Sequence, residues 1–341
     1  MANRSARIPY VCILLLNWNG WKDTVECLES VFRIEGTDFE VVVCDNASQD
    51  GSVEKIEEWA RGDLEVSAAN PELSKLVVPG TPRPIPITKF ANPAAAISSA
   101  AGGGDVSLKL IETGANLGFA GGNNCGLRYC LARRDFDYVW ILNNDTVVSP
   151  DALSFLVAMM EEDSSIGICG SVLHDYWEPA RINVIGGKFY SRWSARFLAS
   201  HEASRVALDY VDGASMLVSE QFLRVVGVMD ETYFLYFEEL DWARRAAQNG
   251  FRLSFSTRSV VYHKEGASVG THRNASSRSL VSERFLARNR VYFTRRFHAW
   301  ALFTVICSIA LVALRAAYRR DLKRARVVLA AILEGLRARL P

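Results

Sequence analysis

Two short polar stretches carry side chains that could take part in chemistry. The first follows the apolar run 138–142 and consists of Asn143, Asn144 and Asp145. Two amides and a carboxylate offer the oxygen ligands that Mg²⁺ or Mn²⁺ prefers, and such a metal would lie beside a diphosphate. The alternative is that these residues only form a turn, since Asn and Asp are common between a strand and a helix.

The second stretch is acidic and places Glu238, Glu239 and Asp241 between Phe237 and Trp242. Carboxylates beside large apolar side chains can have raised pKa values, and a raised pKa suits a general base. The alternative is an acidic first turn of a helix, which the helix dipole favours. Both interpretations stay open from the sequence alone.

Two further candidates follow strand-like segments. Asp45 comes directly after the segment 39–44. A carboxylate there can accept hydrogen bonds from a base or a ribose, or it can cap the following helix. His263 follows the segment 252–262. Histidine can bind a metal, although a lone histidine after a strand is more often a structural residue.

These side chains need a scaffold that brings the ends of several strands together. Apolar runs at 10–16, 39–44, 108–112 and 138–142 alternate with segments of helical spacing. This alternation predicts an α/β fold with βαβ units, in which helices flank a mainly parallel sheet. Ligands bind at the carboxyl ends of the strands in such sheets, where Asp45 and Asp145 would both lie.

A glycine-rich stretch at 116–124 precedes one of the helical segments. Glycines at the start of a helix let a backbone approach a phosphate or sugar closely, and the helix N-terminus favours anions. The stretch does not match GxGxxG and follows the third strand instead of the first. This position argues against a Rossmann dehydrogenase.

The segment 62–106 interrupts the alternation with prolines and a tract of small residues. It offers little apolar surface to offset the entropy of ordering. We therefore expect a flexible insertion, either partly disordered or a mobile flap, within a domain that spans residues 1–272.

The overall composition is that of a globular protein, with 341 residues, 49% of them hydrophobic, and a net charge of +1. This charge predicts no general attraction to nucleic acid. Seven scattered cysteines without a CxxC pair indicate free buried thiols in a reducing compartment. The apolar run 11–16 lacks a small-residue cleavage site, so we interpret it as a first strand, not a signal peptide.

The residue pattern of the C-terminal region 273–341 predicts a basic, amphipathic helical extension. From Arg315 onward, eight basic and two acidic residues give a charge of +6. Ala299 to Leu314 carries no charge over sixteen residues, whereas a membrane span needs roughly 20. We expect helices in the surface of an anionic membrane. Helices packed on the domain or on the partner in a homodimer, and a true span, are the alternatives.

The order of these elements resembles the family 2 inverting glycosyltransferases with the GT-A fold, specifically their rhamnosyltransferase-like branch. The resemblance covers residues 11 to about 268 and is specific as an ordered series. Its motifs are LNWNG at 16–20, DNASQDGS at 45–52, NLGFAGGNNCG at 116–126, LNNDT at 142–146, DGASMLV at 212–218, MDETYFLYFEELDW at 229–242 and the histidine before GAS.

The resemblance implies a role for each matching residue. Asp145 resembles the metal-binding last position of a DXD-type motif, and His263 resembles a histidine that completes the coordination. Glu238, Glu239 and Asp241 match an EDxD motif whose second acidic residue is the expected catalytic base. Glu239 replaces the usual aspartate there, so either Glu239 or Asp241 could face the acceptor. The implied nucleotide-sugar-binding residues are Asn17, Asp45, Asn116, Gly118, Gly122 and Asn144.

The implied activity is transfer of a sugar, with inversion, from a nucleotide-diphospho-sugar in the presence of Mg²⁺ or Mn²⁺. The branch favours dTDP-rhamnose as donor and a lipid-linked or cell-surface glycan as acceptor, in cell-wall or polysaccharide biosynthesis. Such an enzyme would work in the cytoplasm at the inner face of the cell membrane. The alternative is a non-catalytic, membrane-associated protein that binds sugar nucleotides, because NND replaces DXD and Glu239 replaces aspartate.

Overall fold

The computed structural model describes residues 8–78, 80–100, 108–198, 208–264 and 279–341. These residues form one large mixed sheet with helices on both faces, followed by a group of C-terminal helices. The strands are β1 (Tyr10–Asn17), β2 (Asp38–Asp45), β3 (Ile87–Phe90), β4 (Leu108–Glu112), β5 (Tyr138–Asn143), β6 (Thr146–Val148), β7 (Ile166–Asp175), β8 (Ile182–Ile185), β9 (Gly187–Ser191), β10 (Arg196–Leu198), β11 (Tyr210–Val211), β12 (Ser215–Ser219) and β13 (Arg252–His263). The α-helices are α1 (Trp21–Val31), α2 (Ser52–Arg61), α3 (Pro93–Ser98), α4 (Gly118–Arg133), α5 (Ala152–Glu162), α6 (Glu220–Val226), α7 (Glu238–Gln248), α8 (Leu280–Phe297), α9 (Leu302–Tyr318) and α10 (Leu322–Arg337).

The N-terminal half of the sheet is parallel, in the order β5-β1-β2-β4-β3. Both faces of β1 are buried: Val11, Ile13 and Leu15 pack on one side, and Cys12 and Leu14 pack on the other. Burial on both faces explains why this strand appears in the sequence as a continuous apolar run. The predicted α/β fold is confirmed.

The other half of the sheet is mixed, with antiparallel strands added to the predicted parallel arrangement. β12 lies antiparallel between β5 and β7, and β8, β9 and β10 extend this side as antiparallel strands. β13 pairs parallel with β7 and antiparallel with β6. The latter pairing sets His263 opposite Thr146, directly after the NND stretch.

The predicted insertion at 62–106 contains more regular structure than its composition predicts. It contributes a 3₁₀ helix (Pro71–Leu76), β3 and α3, and β3 pairs with β4 at the edge of the sheet. Leu73 packs in a small apolar cluster with Tyr176, which explains how a short apolar segment here gains buried surface. Position 79 and residues 101–106 of the insertion lie outside the described residues.

The C-terminal helices share an apolar cluster with the sheet domain. Phe237, just before α7, and Leu240 of α7 pack with Val291 of α8 and Val305 of α9. The segment Ala299–Tyr318 has 20 residues and a mean hydropathy of 2.0, so its length and composition alone would allow it to cross a membrane. Only 28% of its most apolar stretch is buried in the protein, so most of this helix surface faces outward.

All seven cysteines are free, as predicted, but one of them is not buried. Cys307 is exposed, whereas the other six are buried. The exception lies on the outward face of α9, where the apolar pattern of the sequence does not reflect burial in the core.

Candidate active site

Asn17 and Asp45 end two neighbouring parallel strands and lie opposite each other in the register. The amide of Asn17 donates to Asp45 Oδ1 at 2.7 Å and to Ser48 Oγ at 3.1 Å, and the Ser48 N–H donates to Asp45 Oδ2 at 3.0 Å. Both side chains are almost completely buried. Asn17 therefore holds the Asp45 carboxylate in place, with both of its amide hydrogens already used.

Asn144 ties the end of β5 to the end of β1. Its amide donates to Thr24 Oγ1 at 2.9 Å and to Asn17 Oδ1 at 3.4 Å. A Cβ at Gly20 would lie only 3.1 Å from the Asn144 amide nitrogen. The side chain of Asn144 thus points into the protein and supports the strand ends, which leaves Asp145 as the charged member of the NND stretch.

Asp145 and His263 lie together, as the resemblance implies. Asp145 Oδ1 is 3.1 Å from His263 Nε2, and the N–H of Lys264 donates to the backbone oxygen of Asp145 at 3.0 Å. Burial acts to raise the pKa of Asp145, but His263 and Lys264 outweigh it, and the net pKa lies below its usual range. Asp145 is therefore an anion at neutral pH, as a metal ligand must be.

The pair fits a divalent cation by distance and by chemistry. Asp145 Oδ1 and His263 Nε2 lie 3.1 Å apart, so a single ion could contact both atoms. A carboxylate with an imidazole suits Mn²⁺ at least as well as Mg²⁺. Within the described part of the chain, no group of three or more His, Cys, Asp or Glu residues could hold a metal, so other ligands would come from a diphosphate and water.

The glycine-rich stretch forms the beginning of α4 instead of a loop. Asn116 is exposed, and its Oδ1 accepts the N–H of Gly118 at 3.0 Å. Gly118 has a φ of +71°, and a Cβ there would overlap the backbone oxygen of Phe234. A Cβ at Gly122 would overlap the side chain of Leu16. In contrast to the expected contact with a donor, Gly122 faces the sheet and allows α4 to pack closely on β1.

Glu239 lies half-buried at the start of α7, directly over Gly213. A Cβ at Gly213 would overlap Glu239 Oε1, so the glycine of the DGAS motif makes room for this carboxylate. Burial, and then the charge of Asp212, raise the pKa of Glu239 to about 7, and Lys188 partly opposes the rise. A group whose pKa lies near the working pH is well suited to accept a proton.

Asp212 interacts through its charge with both Glu239 and His263. It forms an ion pair with Lys188 at 2.6 Å. Burial acts to raise the pKa of Asp212, but Lys188 and His263 outweigh it, so the net pKa is lowered.

Asn143, two residues before Asp145, donates its N–H to the backbone oxygen of Ala214 at 3.0 Å, and the neighbouring Gly213 lies against Glu239. The two predicted parts of the site therefore lie close together, and the region that they share is here called the crevice.

The structure separates Asp241 from this crevice. Its side chain is completely buried, Oδ1 accepts from Arg245 Nε at 2.7 Å, and Oδ2 accepts from Arg296 at 2.6 Å and from the Tyr233 hydroxyl at 3.0 Å. Both oxygens are engaged in contacts between α7, the loop before it and α8. Of the two alternatives for the base, the geometry therefore favours Glu239, and Asp241 holds the helix that carries it.

Glu238 is buried too, and its Oε2 has no hydrogen-bond partner among the described residues. Burial raises the pKa of Glu238 well above its usual range, and the neighbouring Glu239 adds to the rise. Both effects favour the neutral form of Glu238.

The loop before α7 has an unusual backbone that α8 holds in place. Phe234, Tyr236 and Phe237 have φ values of 62°, 68° and 78°. The amide of Asn289 donates to the Tyr236 carbonyl oxygen at 2.9 Å and to two earlier loop carbonyls at 2.8 Å. Sequence reasoning missed Asn289 and Lys188, since no local pattern marks them; a lone uncharged amide among the arginines at 284–296 is the only signal for Asn289.

Two family models match the chain. One described as "Glycosyltransferase like family 2" matches residues 94–282, more than half of the chain, and one described as "Glycosyl transferase family 2" matches residues 12–68. The two matches together contain the Asp45, Asp145, Glu239 and His263 side chains.

Two named proteins are similar in sequence. The low-salt glycan biosynthesis hexosyltransferase Agl10 of Haloferax volcanii is 26% identical over 190 residues, which cover 54% of this chain and 61% of that protein. The N-acetylglucosaminyl-diphospho-decaprenol L-rhamnosyltransferase of Mycobacterium tuberculosis is 24% identical over 245 residues, which cover 64% of this chain and 79% of that protein. The chain thus spans less than two thirds of the length of the haloarchaeal relative.

Solved structures share the fold. The mannosyltransferase PcManGT from Pyrobaculum calidifontis, in complex with GDP-Man and Mn²⁺, has a TM-score of 0.54 at 16% identity, covering 97% of this chain and 88% of that chain. GalNAc-T7, with UDP, GalNAc and Mn²⁺, has a TM-score of 0.57 at 14% identity, covering 86% of this chain and 50% of that chain. At these identities the likeness shows the GT-A fold alone.

Proposed function

This chain belongs to the family 2 glycosyltransferases, and we propose that it transfers a sugar from a nucleotide-diphospho-sugar to a hydroxyl group with inversion at the anomeric carbon. One observation carries the proposal. Glu239, with a pKa of about 7, lies in the crevice that also contains Asp145 and His263, and the charge of Asp212 acts on both Glu239 and His263. A base opposite a diphosphate-binding site is the arrangement that a single displacement requires.

The donor would lie along the carboxyl ends of β1, β2 and β5. Asp45, which Asn17 and Ser48 orient, would accept hydrogen bonds from the base or ribose of the nucleotide. Asp145 and His263 would hold Mn²⁺ or Mg²⁺ beside the diphosphate. A divalent cation at this place supplies positive charge that stabilises a departing diphosphate.

Glu239 then acts on the acceptor. It removes the proton of the acceptor hydroxyl while the oxygen forms a bond to the anomeric carbon, and the bond from that carbon to the diphosphate breaks with its electrons left on the diphosphate. Attack from the side opposite the leaving group inverts the anomeric centre. Gly213 leaves space for the carboxylate, and the Lys188–Asp212 pair keeps its pKa close to neutral.

For the substrates, we infer dTDP-rhamnose as donor and a lipid-linked glycan as acceptor, in cell-wall or polysaccharide biosynthesis. The mycobacterial relative supports rhamnose as the sugar and a lipid-linked acceptor, because its name specifies an L-rhamnosyltransferase and a diphospho-decaprenol compound. The haloarchaeal relative is named for glycan biosynthesis. An acceptor of this kind would place the protein in the cytoplasm at the inner face of the cell membrane.

Replacing Glu239 by glutamine tests the proposal against the non-catalytic alternative. With dTDP-rhamnose, Mn²⁺ and a synthetic N-acetylglucosaminyl-diphospho-lipid, we expect Glu239→Gln to lower turnover by about 10²- to 10⁴-fold. The thermal stabilisation by nucleotide should persist, since the donor site is untouched. The exposed Glu65 provides the control, and Glu65→Gln should keep full turnover.

Three results would count against parts of this function. Full turnover in Glu239→Gln would remove the base assignment. Transfer from another nucleotide sugar but not from dTDP-rhamnose would replace the donor. Nucleotide binding by the unmodified protein without transfer from any donor would favour the non-catalytic, membrane-associated binding protein.

A further inference from the structure

Two exposed tryptophans meet at one edge of the protein. Trp193 lies in the turn between β9 and β10, and Trp300 lies just before α9; their side chains are 65% and 59% exposed. The two rings pack edge to face, with centroids 4.7 Å apart. Thr304 of α9 donates to the Trp193 backbone oxygen at 2.8 Å, which ties the turn to the helix. Large aromatic groups in water at a fixed place indicate a contact surface.

An apolar stripe continues from this pair along α9. Its opposite face is already buried, with Val305 and Ile309 in the cluster shared by the C-terminal helices. A helix that is apolar on both faces needs a second apolar environment. The outward stripe consists of Phe303, Cys307, Leu311, Leu314 and Tyr318, and Phe303 and Tyr318 are 77% and 91% exposed.

Exposed cations border the stripe. The two acidic residues after position 315, Asp321 and Glu334, are paired with Arg324 at 3.1 Å and with Arg284 at 2.9 Å. The surface charge at this end is therefore dominated by basic side chains. Those exposed are Arg192 beside the tryptophan pair and Arg315, Arg319, Arg320, Lys323 and Arg326 at the far end of α9 and the start of α10.

We propose that these tryptophans, the outward stripe of α9 and the bordering cations, together called the α9 surface, dock into the interface of an anionic lipid bilayer. Tryptophan and tyrosine are favoured at the level of lipid headgroups, leucine and phenylalanine enter the acyl boundary, and arginine and lysine attract anionic headgroups. The α9 surface combines all three groups on one side of the molecule.

Charge and packing argue against the other occupants. In a symmetric contact between two copies, the same cationic border would face itself, and like charges across an interface are unfavourable. A helix that spans the bilayer would have to give up the contacts of Val305 and Ile309 with the protein. An anionic bilayer surface would cover the outward stripe and attract the cations. It would neither bring like charges together nor break the contacts of Val305 and Ile309.

Docking would bring the bilayer close to the proposed base. β9 runs from Lys188, which is paired with Asp212 beside Glu239, toward the Trp193 turn. Five residues of extended chain measure at most about 17 Å. The sugar of a lipid-linked acceptor could therefore reach Glu239 while its lipid stays in the bilayer. This last step rests on the proposed transferase function, whereas docking itself does not.

Vesicle flotation of the full chain, without donor, tests the docking. We expect the protein to float with phosphatidylcholine vesicles that contain phosphatidylglycerol and to bind weakly to phosphatidylcholine alone. Phe303→Ser combined with Leu314→Ser should lower partitioning by roughly tenfold or more, because apolar surface at the interface is lost. Trp177→Ser combined with Ile182→Ser removes two exposed apolar side chains elsewhere and should leave partitioning unchanged.

A variant with fewer positive charges separates the electrostatic contribution to membrane binding from the apolar contribution. Arg315→Gln with Arg319→Gln should weaken binding to the anionic vesicles and leave the weak binding to phosphatidylcholine as it is. The nucleotide-dependent thermal shift of each variant should match that of the unmodified protein, which verifies folding and keeps donor binding apart from docking.

Four outcomes would overturn the proposal. In the first two, the unmodified protein fails to float with anionic vesicles, or the variant with serine at positions 303 and 314 floats equally well. In the third, alkaline carbonate fails to release the bound protein, which would indicate a spanning helix. In the fourth, the protein forms a dimer without lipid that the same variant dissociates, which would indicate an interface between two copies.

Discussion

The side-chain amide of Asn289 donates to the backbone oxygen of Tyr236 at 2.9 Å, across the boundary between α8 and the loop that precedes α7. Tyr236 has a φ of 68°, a conformation that costs about 1 kcal/mol or more for a residue with a side chain. Asn289 is completely buried. A residue of the C-terminal helices therefore stabilises the loop that presents Glu239.

We predict that Asn289→Ala lowers the free energy of unfolding by about 1 to 3 kcal/mol, because buried carbonyl groups lose their donor. It should lower kcat more than it changes KM, since Glu239 is displaced while the donor site stays intact. Chemical denaturation and steady-state kinetics measure both effects. Asn249→Ala is the control, because this exposed asparagine donates to one carbonyl at the end of α7. An unchanged kcat would restrict Asn289 to a structural role.

The pH dependence of kcat/KM should report Glu239. Its pKa of about 7 arises from burial and then Asp212, so kcat/KM should rise as the pH increases toward 7 and level off above it. Lys188→Met removes the opposing positive charge and should move this limb to higher pH. Lys55→Met, which removes a surface ion pair with Glu58, should not. If kcat/KM of Lys188→Met rises over the same pH range as that of the unmodified protein, Glu239 is not the group that titrates.

The same carboxyl should make stability depend on pH. Its folded pKa is raised above the unfolded value of about 4.3, so the folded protein holds this proton more tightly. The contribution to stability is complete below the unfolded pKa and is lost as the pH rises through about 7. We expect the unfolding free energy of the unmodified protein to fall relative to that of Glu239→Gln between pH 5 and 8, as denaturant titrations can measure. A constant difference would argue for an ordinary pKa.

Replacing Asp145 should remove the effect of the metal on stabilisation by nucleotide. In the unmodified protein, Mn²⁺ should increase the thermal stabilisation by a nucleoside diphosphate, because ligands of the native state raise its apparent stability. Asp145→Ala should abolish that increase. Asp151→Ala changes an exposed aspartate that makes no cap hydrogen bond at the start of α5 and should retain it. If Asp145→Ala responds to Mn²⁺ normally, the metal site lies elsewhere.

Asp241 should matter for stability instead of proton transfer. Asp241→Ala leaves Arg245 and Arg296 without their buried partner, and loss of one partner of a buried pair costs about 3 kcal/mol or more. Thermal and chemical denaturation measure this loss. Asp63→Ala, in an exposed pair with Arg61, should cost at most about 1 kcal/mol. A stable Asp241→Ala protein without turnover would return Asp241 to the list of candidate bases.

The sequence by itself determined the strands of the parallel half and the residues at their ends. β1 and β5 are buried on both faces, so their apolar runs are continuous, and these runs stop where polar side chains begin. Asp45 and Asp145 could be placed there for this reason. The strand order of the mixed half depends on pairings between distant segments, which no local pattern predicts.

Only the tertiary structure favours Glu239 over Asp241 as the proposed base. Residues that are two positions apart on a helix differ in direction by about 200° around its axis. The two carboxylates therefore had to face different sides of α7. The side of α7 that faces the crevice depends on α8. Arg296 of α8 binds Asp241, so Glu239 lies on the other side, over Gly213. Gly122 and Asn289 are similar cases, because their roles arise from contacts between elements distant in sequence, which local patterns do not encode.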